Sequence, residues 1–415
     1  MKKIWPRNQD EEQEEAELIA RLNARFAEAD RSVGIEVGPD FARFVQRDDI
    51  FTRAFWDEKV RSDDALGFFE SYRMKAAPRR GEGFSQRDFA LRNAAWSVSD
   101  MVTARGEAEG RREGFQSPVS LDTPVADDRL PVDDPKAMSA EIKRIARFFG
   151  ADLAGITEHD ERWMYKSRVD SRDFSEAPNN LPPGIGHVIV LGHSMDRDLV
   201  DTYPSALAGA STGREYSHEA AIVIQLASYI RNLGYEAVAS MNDTGLVIPL
   251  AVKAGLGDYG RNQLVITPEF GPRLRFSKIY TSLPLVADMP RRHGIADYCA
   301  ICTKCADQCP PKALPFGPPD AVALNRSTIA GVKKWSADCE KCFGYWARIK
   351  SDCAICMRVC PFNRDYSRLG NRLWRALAMS SYRKIALWWD KRFPNGARLR
   401  PRDWWDGKSK QAETV

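Results

Sequence analysis

Cysteine is the residue type whose positions in this sequence most clearly suggest a chemistry. All nine cysteines of the 415-residue chain lie between positions 299 and 360. Cys299, Cys302, Cys305 and Cys309 form a C-x2-C-x2-C-x3-C run followed by proline, the pattern with which bacterial ferredoxins bind [4Fe–4S] clusters. In that pattern three thiolates bind one cluster and the fourth binds another. A second cysteine run is therefore expected.

The second run lies about fifty residues downstream. Cys353, Cys356 and Cys360 form C-x2-C-x3-C, again followed by proline. This run has one cysteine fewer, so a further ligand has to come from upstream, where Cys339 and Cys342 are both candidates. Because the fourth thiolate crosses over, the expected ligand sets are mixed. One cluster takes Cys299, Cys302, Cys305 and Cys360, and the other takes Cys309, Cys353, Cys356 and either Cys339 or Cys342.

Structural zinc and disulfide bonds are the alternative uses of so many cysteines. Two C-x2-C pairs can bind zinc, but zinc gives no reason for both runs to end in Cys-Pro. Disulfides need an oxidising compartment and are usually spread along a chain to join loops, whereas these thiols are confined to one stretch. The pattern therefore favours two iron–sulfur clusters.

The composition of the whole chain excludes several other classes. With 61 basic and 57 acidic residues the net charge is +4, which does not favour a nucleic-acid partner. No apolar stretch approaches the roughly 20 residues of a membrane span. The N-terminal lysines are not followed by an apolar segment, and the arginine pairs at 79–80 and 111–112 lie too deep for an export signal. We therefore expect a cytoplasmic protein without a transmembrane helix.

The first third of the chain reads as helices and connecting segments. Residues 9–30 begin with acids and continue with apolar residues at helical spacing, which predicts a surface helix. The polar region 32–136 contains aromatic residues that argue against disorder, and helices are expected near 64–74 and 86–104. The proline-rich and acidic stretch 117–136 is typical of an extended connector.

The middle of the chain alternates helical and apolar strand patterns. This alternation predicts a layered α/β domain. Helices are expected at 137–149 and 213–233, strands at 151–156, 187–191 and 235–240, and a further apolar segment at 245–254.

A glycine-rich stretch follows this domain. The segment 255–261, GLGDYGR, suits a backbone that approaches a large flat or phosphorylated ligand. It does not fit a dinucleotide fingerprint, because the third glycine and the following helix are missing. A tight turn without any ligand is equally compatible with this composition.

The C-terminal 48 residues are rich in tryptophan and in basic residues. We expect this tail, which starts at position 368, to pack across both preceding domains. The alternative is contact with a membrane surface, where tryptophan beside lysine and arginine is common. The tryptophans are Trp374, Trp388, Trp389, Trp404 and Trp405.

With both domains described, the sequence resembles the corrinoid-dependent reductive dehalogenases over roughly residues 85–365. The resemblance is carried by the first cysteine run and by three stretches. These are GFSQRDFALRNAAW at 83–96, AGLGDYGRNQLVITPEFGPRLR at 254–275 and KWSADCEKCFGYWARIKSDCAICMRVCP at 334–361. In the family, one distant cysteine shortly before a Tyr-Trp pair completes the second cluster. The resemblance thus implies Cys342 as the ligand and leaves Cys339 as a free thiol.

The family resemblance also implies an α+β organisation in four parts. These are an N-terminal wrapping and connector region at 1–136, a nitroreductase-like α/β corrinoid-binding domain at 137–290, a bacterial ferredoxin-like domain with two [4Fe–4S] clusters at 291–366 and a Trp-rich C-terminal tail at 367–415. The resemblance implies a corrinoid that is bound base-off. The chain has no D-x-H-x-x-G run, so the cobalt is not expected to take a histidine from that motif. Gly257 and Gly260 are the expected cofactor contacts.

What the resemblance implies about the reaction is removal of halide from an organohalide. By the same resemblance, Tyr216 would be the proton donor and Arg275 the cation that stabilises its phenolate. Asn242 would be an amide that either anchors Tyr216 or polarises the substrate. Electrons would come from a separate low-potential donor such as a ferredoxin, a flavodoxin or a reductase. The alternatives are an epoxyqueuosine-reductase-like enzyme that acts on tRNA and an electron carrier without catalysis.

Overall fold

The computed structural model describes residues 9–73, 81–108, 123–170, 173–179 and 181–408. These residues form a mixed α/β protein. The strands are β1 (Leu153–Glu158), β2 (Ser167–Val169), β3 (Glu176–Pro178), β4 (His187–Ser194), β5 (Ala237–Ser240), β6 (Asp258–Tyr259), β7 (Val265–Ile266) and β8 (Leu274–Thr281). The helices before the cysteine region are α1 (Gln9–Val33), α2 (Ile50–Trp56), α3 (Asp63–Glu70), α4 (Gln86–Ala108), α5 (Pro135–Phe148), α6 (Arg197–Asp201), α7 (Ala206–Asn232) and α8 (Val247–Lys253).

Short helices carry the cysteines, and three more helices follow them. The cysteine region contains α9 (Ile295–Ile301), α10 (Lys304–Asp307), α11 (Cys339–Ile349) and α12 (Ile355–Arg358). The C-terminal part contains α13 (Leu369–Ala378), α14 (Arg383–Arg392) and α15 (Pro401–Trp405). Among the helices within the described ranges, none combines the length and the apolar composition that crossing a bilayer requires.

A four-stranded antiparallel sheet with the order β1-β4-β8-β5 forms the centre of the α/β part. Its strands are apolar at successive positions because both faces are covered by helices. Ile189 and Leu191 of β4 point into the core that contains Leu226 of α7, whereas Val188 and Val190 join the core on the α8 side. Each of these four side chains is fully buried, which is worth about 1.5–3 kcal/mol per residue before entropy is considered.

Local sequence accounts for where the main helices begin. Asp134 caps α5 by accepting hydrogen bonds from the backbone of Lys136 and Ala137, and proline occupies the first helical position. Ser205 caps α7 in the same way, with its Oγ accepting a hydrogen bond from the amide of Ala208 at 3.0 Å. The 27-residue α7 is thereby placed with one side against the sheet.

The close packing of α4 on α7 depends on one glycine. A Cβ atom at Gly213 would lie only 2.2 Å from the Trp96 ring, so only glycine permits this approach. Trp96 in turn stacks on Tyr216 of α7, with ring centroids 4.5 Å apart. This contact puts an aromatic side chain from the N-terminal region directly beside the expected proton donor.

The helices and strands expected from the sequence are present. Most boundaries shift by a few residues, and α7 begins seven residues before the expected position 213. The apolar segment 245–254 contains the helix α8. The described part of the connector, 123–134, lies in extended form along the end of α7, where Ala126 and Leu130 donate backbone hydrogen bonds to Arg231 and Leu233. Residues 117–122, the rest of the expected connector core, lie outside the described residues.

Candidate functional site

The first group of cysteines is buried in an aromatic core. Cys299, Cys302 and Cys360 pack with Tyr298, Trp335, Phe362 and Trp374. Burial raises the pKa of the Cys360 thiol, and the neighbouring thiols of Cys299, Cys305 and Cys302 raise it further. The fold thus brings together the four cysteines that the crossing pattern assigns to one cluster. Such thiols have to lose their protons when a metal cluster binds.

The second group consists of Cys309, Cys342, Cys353 and Cys356. Burial raises the pKa of the Cys356 thiol above its usual range, and the charges of Cys353, Cys342, Cys305 and Cys309 act in the same direction. Cys305 is a neighbour of both groups, since it lies within α10 and Cys309 follows the end of the same short helix. The two groups are therefore adjacent in space.

Cys339 lies one helical turn before Cys342 and makes different contacts. Its Sγ is 3.7 Å from the carbonyl oxygen of Ala337 and 4.0 Å from that of Ser327, and Nε2 of Gln263 donates to it at 4.0 Å. Its role as a free thiol stays a prediction. Within the described ranges, no three His, Cys, Asp or Glu side chains converge as ligands of a metal ion. A cubane cluster distributes its four thiolates over its corners and does not require them to converge on a single ion.

Arg261 is a further side chain of this region whose role the sequence pattern did not suggest. It is 2% exposed, and its guanidinium donates to the carbonyl oxygens of Cys299 and Cys302 at 2.9–3.1 Å. It also donates to the carbonyl oxygens of Pro315 and Gly317. The glycine-rich stretch that ends in Arg261 therefore holds the first cysteine loop in place.

One cavity of about 1030 Å³ connects the cysteine region with the α/β part. This volume exceeds the roughly 300–1,000 Å³ of ordinary small-molecule pockets and suits a large macrocycle. We call two sets of its lining residues the cysteine wall and the phenol wall. The cysteine wall consists of Cys309, Cys342, Cys353 and Cys356, and the phenol wall consists of Tyr216 and Arg275.

The three expected catalytic side chains lie together although the pairs are 26, 33 and 59 positions apart along the chain. Nδ2 of Asn242 donates a hydrogen bond to the Tyr216 hydroxyl at 2.5 Å, and Nη2 of Arg275 donates to the same oxygen. The Arg275 guanidinium carbon lies 3.9 Å from the centroid of the Tyr216 ring. Of the two roles considered for Asn242, this geometry favours anchoring of Tyr216.

The pKa of Tyr216 is raised, although the neighbouring Arg275 was expected to stabilise the phenolate and so to lower it. Burial raises its pKa to about 12, while Arg275 and the hydrogen bond from Asn242 both act in the lowering direction. Two donors on the phenol oxygen stabilise the phenolate, but they do not outweigh the loss of solvent. Tyr216 is therefore fully protonated at neutral pH, which is the form that a proton donor needs.

Gly257 and Gly260 are not among the residues that line the cavity, and their role as cofactor contacts stays a prediction. They lie in and beside the β6–β7 hairpin, where a Cβ at either position would come within 2.5 Å of Ile266. The cavity is lined instead by the tip of that hairpin, Asn262, Gln263 and Leu264. Close packing within the hairpin requires glycine at both positions.

Several cavity residues were not identified as site residues from the sequence. Aromatic side chains from the N-terminal region and from α11 form much of the lining, including Phe51, Phe69, Tyr72, Trp96 and Trp346. Their signal was the presence of aromatics in an otherwise polar region, which indicated folding but not a ligand. Buried Nε1 of Trp96, Nε1 of Trp346 and Nδ2 of Asn262 have no hydrogen-bond partner among the described residues. These atoms are available to a bound polar group.

The fold and the cavity define an α/β protein with a large ligand site beside two groups of four cysteines. No family model matches the chain. The tetrachloroethene reductive dehalogenase of Dehalobacter restrictus is 35% identical over 298 residues, 60% of this chain and 53% of that protein. The enzyme of the same name from Sulfurospirillum multivorans is 32% identical over 313 residues, 69% of this chain and 62% of that protein. Over the aligned residues this chain is therefore similar in sequence to curated reductive dehalogenases.

Solved structures extend the similarity to most of the chain at the level of the fold. A reductive dehalogenase structure described as suggesting a mechanism for B12-dependent dehalogenation has a TM-score of 0.67 at 23% identity, covering 88% of this chain and 48% of that one. An epoxyqueuosine reductase of Bacillus cereus is 31% identical over 229 residues, 48% of this chain and 54% of that protein. The chain spans about half the length of the dehalogenases that it matches first.

Proposed function

We propose that this protein is a reductive dehalogenase that removes halide from an organohalide. The observation that carries the proposal is that a single cavity is bordered by a set of four cysteines and by a hydrogen-bonded Tyr216–Arg275 pair. Two electrons and one proton convert a carbon–halogen bond into a carbon–hydrogen bond and a halide ion. One wall is suited to deliver the electrons and the other to deliver the proton. The curated relatives, named as tetrachloroethene reductive dehalogenases, support the same reaction class.

The finer architecture forms part of this proposal. We infer a nitroreductase-like corrinoid-binding domain at 137–290 and a ferredoxin-like domain at 291–366, with a wrapping region before them and a Trp-rich tail after them. The central four-stranded sheet lies within the first range, and all nine cysteines lie within the second. In the described chain, α2 and α3 also contribute to the cavity, which supports a wrapping role for the N-terminal region.

The ligands of the two clusters are proposed as the sequence pattern and the family resemblance assigned them. The first cluster takes Cys299, Cys302, Cys305 and Cys360, and the second takes Cys309, Cys342, Cys353 and Cys356. The electrostatic neighbours of Cys360 and Cys356 support this division. The second cluster would lie next to the cavity and the first would lie behind it, so electrons would pass through both in series.

A base-off corrinoid fits the cavity on three grounds. The volume is large, aromatic side chains can cover the faces of a flat ring, and unpaired polar atoms point to an absent polar ligand. When bound, the corrinoid supplies a cobalt centre that accepts single electrons and acts on the halogen substituent. Trp96, Asn262, Gln263 and Trp346 are the side chains that would contact the cofactor.

Tyr216 is the proposed proton donor because of the direction of its hydrogen bonds. Its oxygen accepts from Asn242 and from Arg275, so its own O–H hydrogen is not used by either partner and can be donated into the cavity. Arg275 then faces the phenolate that forms, and its charge stabilises that anion. Asn242 fixes the ring and is a positioning residue, since it does not belong to the cavity lining.

An epoxyqueuosine-reductase-like activity is the second candidate, supported by the 31% identity to the Bacillus cereus protein. That similarity covers less of this chain than the similarity to the dehalogenases does. The nearly balanced charge of the chain also favours a small substrate over tRNA.

The experiment that tests the proposal is an anaerobic assay of protein reconstituted with iron, sulfide and cobalamin. Titanium(III) citrate supplies electrons, and halide release is measured over a panel of organohalides that begins with tetrachloroethene. We expect release that requires both cofactors. Turnover of epoxyqueuosine in a tRNA stem loop without halide release from any panel member would contradict the proposal. Cytoplasmic location and a separate electron donor stay predictions.

A further inference from the structure

The first cysteine group is covered by a helical hairpin on the side away from the cavity. We define the C-terminal hairpin as α13, α14 and the turn between them. Trp374 of α13 is fully buried and packs edge-on against Tyr298 and Phe362, with ring centroids 5.5 and 5.1 Å away. The same core contains Cys299, Cys302 and Cys360. The hairpin is therefore the outer layer over the first cysteine group.

Ion pairs hold α14 directly against the helices that carry these cysteines. Asp390 is 3% exposed and pairs with Lys304 at 2.9 Å and with Arg364 at 2.6 Å. Arg383 pairs with Asp297 of α9 at 3.1 Å. Only about one helix diameter, roughly 10 Å, thus lies between the first cysteine group and solvent.

The outer face of α14 combines aromatic and basic side chains. Trp388 is 64% exposed, and Lys384, Ile385, Lys391 and Arg392 are also exposed on this side of the helix. The segment 367–393 has seven basic residues and a single acidic one, which is the buried Asp390. Its surface is therefore positively charged, in contrast to the nearly balanced charge of the whole chain.

We propose that the outer face of the C-terminal hairpin is the docking surface for the electron donor, a small acidic iron–sulfur protein of the ferredoxin type. This inference rests on the proposed function, since it requires electrons to enter at the first cluster. Exposed tryptophan surrounded by cations is typical of an interface hot spot, and opposite charges steer a redox partner to the correct side. An anionic membrane would also attract this face. The position over the first cysteine group favours the electron donor, because that group lies on the far side of the cysteine wall from the cavity.

The test follows the reduction of the clusters, which can be measured without any dehalogenation. Reconstituted holoenzyme is mixed anaerobically with reduced bacterial 2[4Fe–4S] ferredoxin of net negative charge, and the second-order rate of cluster reduction is recorded. The double variant Lys391→Glu/Arg392→Glu should lower this rate roughly tenfold or more at low ionic strength. Trp388→Ala should weaken binding without changing the salt dependence. Added salt should lower the wild-type rate and leave the double variant nearly unaffected.

Matched variants on another exposed basic helix serve as controls. Arg144→Glu/Arg147→Glu and Phe148→Ala change the same residue classes on α5, which packs on β1 and α7. These variants should keep the wild-type rate. Carbodiimide cross-linking should join the donor to Lys384 or Lys391, a readout that does not depend on activity. Reduction by titanium(III) citrate should be equal in all variants, which shows that the clusters are intact.

The outcomes separate this proposal from the proposed function. An unchanged ferredoxin rate in the Lys391→Glu/Arg392→Glu variant, or cross-links confined to other surfaces, would overturn the docking surface. The same conclusion would follow if that variant lost binding to phosphatidylglycerol vesicles but kept the ferredoxin rate. Failure of titanium-reduced wild type to release halide would instead contradict the dehalogenase proposal, and the docking surface would still be judged by cluster reduction.

Discussion

The cysteine wall and the phenol wall face the same cavity but are assembled in different ways. The cysteine wall comes from residues 309–356, a stretch of short helices and loops in which Cys353 and Cys356 are three positions apart but Cys309 and Cys342 are 33 positions apart. The phenol wall comes from the long helix α7 and the long strand β8, and its two side chains are 59 residues apart in sequence. The comparison shows that only the closely spaced cysteines of a ligand set are fixed locally, whereas Cys309 and Cys342, like a proton donor and its stabilising cation, have to be brought together by the tertiary structure.

Removing a thiol from the cysteine wall should have the largest effect and leave the phenol wall intact. Cys342→Ser should lower the iron content from about eight to about four atoms per chain, because a cubane needs all four thiolates. Halide release should be abolished. Iron and sulfide analysis with electron paramagnetic resonance of the reduced protein measures this change. Cys339→Ser, one turn earlier on α11, is the matched control and should keep all the iron; the reverse pattern would move the ligand to Cys339.

The converse experiment removes the phenol and keeps the clusters. Tyr216→Phe should retain iron and cobalamin while halide release falls roughly 10²–10⁴-fold, the usual contribution of a positioned general acid. Tyr229→Phe on the same helix is the control, since its hydroxyl donates to Glu141 at 2.6 Å and lies outside the cavity lining. Full activity of the Tyr216→Phe protein would remove Tyr216 from the mechanism.

A third prediction concerns a buried carboxyl behind the phenol wall. Glu219 is fully buried, its carboxyl oxygens have no hydrogen-bond partner among the described residues, and burial raises its pKa to about 7 from 4.5. Between these two pH values the folded protein holds a proton that the unfolded chain has lost. This contribution to the free energy of unfolding therefore decreases as pH rises from about 4.5 to about 7.

Glu219→Gln should remove that dependence. We compare the free energy of unfolding of the variant with that of wild type at each pH. The difference, variant minus wild type, should be roughly 2 kcal/mol larger at pH 8 than at pH 5. Urea unfolding of the metal-free protein at the two pH values measures the difference. An equal difference between variant and wild type at both pH values would show that Glu219 is not desolvated in the folded protein.

The smallest effect is expected from the amide that anchors the phenol. Asn242→Ala removes one hydrogen bond to Tyr216 and should lower halide release about tenfold, in line with about 1–1.5 kcal/mol for such a bond. Arg275 still contacts the phenol oxygen in this variant, so part of the stabilisation remains. Iron content should not change. A loss as large as that of Tyr216→Phe would indicate that Asn242 contacts the substrate itself.

Parts of this architecture were accessible to sequence reasoning because their signals are local. The periodicity of 137–149 and 213–233 predicted α5 and α7, and the apolar runs predicted β1, β4 and β5. The grouping of Cys360 with the first run followed from the Cys-Pro endings, and the structure places it beside Cys299 and Cys302. The interpretation of Gly257 and Gly260 as cofactor contacts stays a prediction, since neither glycine lines the cavity. Both glycines pack closely within a hairpin. The tip of that hairpin, at Gln263 three positions after Gly260, lines the cavity.

The cysteine spacing, the capped helices and the apolar strands were determined by the order of residues along the chain, because each depends on neighbours only a few positions away. Only the tertiary structure decided the cavity and its aromatic lining. The same holds for the contact of Trp96 with Tyr216 and for the hydrogen bonds from Arg261 to the first cysteine loop. These contacts join residues between 38 and 120 positions apart, and no local pattern records which distant side chains packing will bring together.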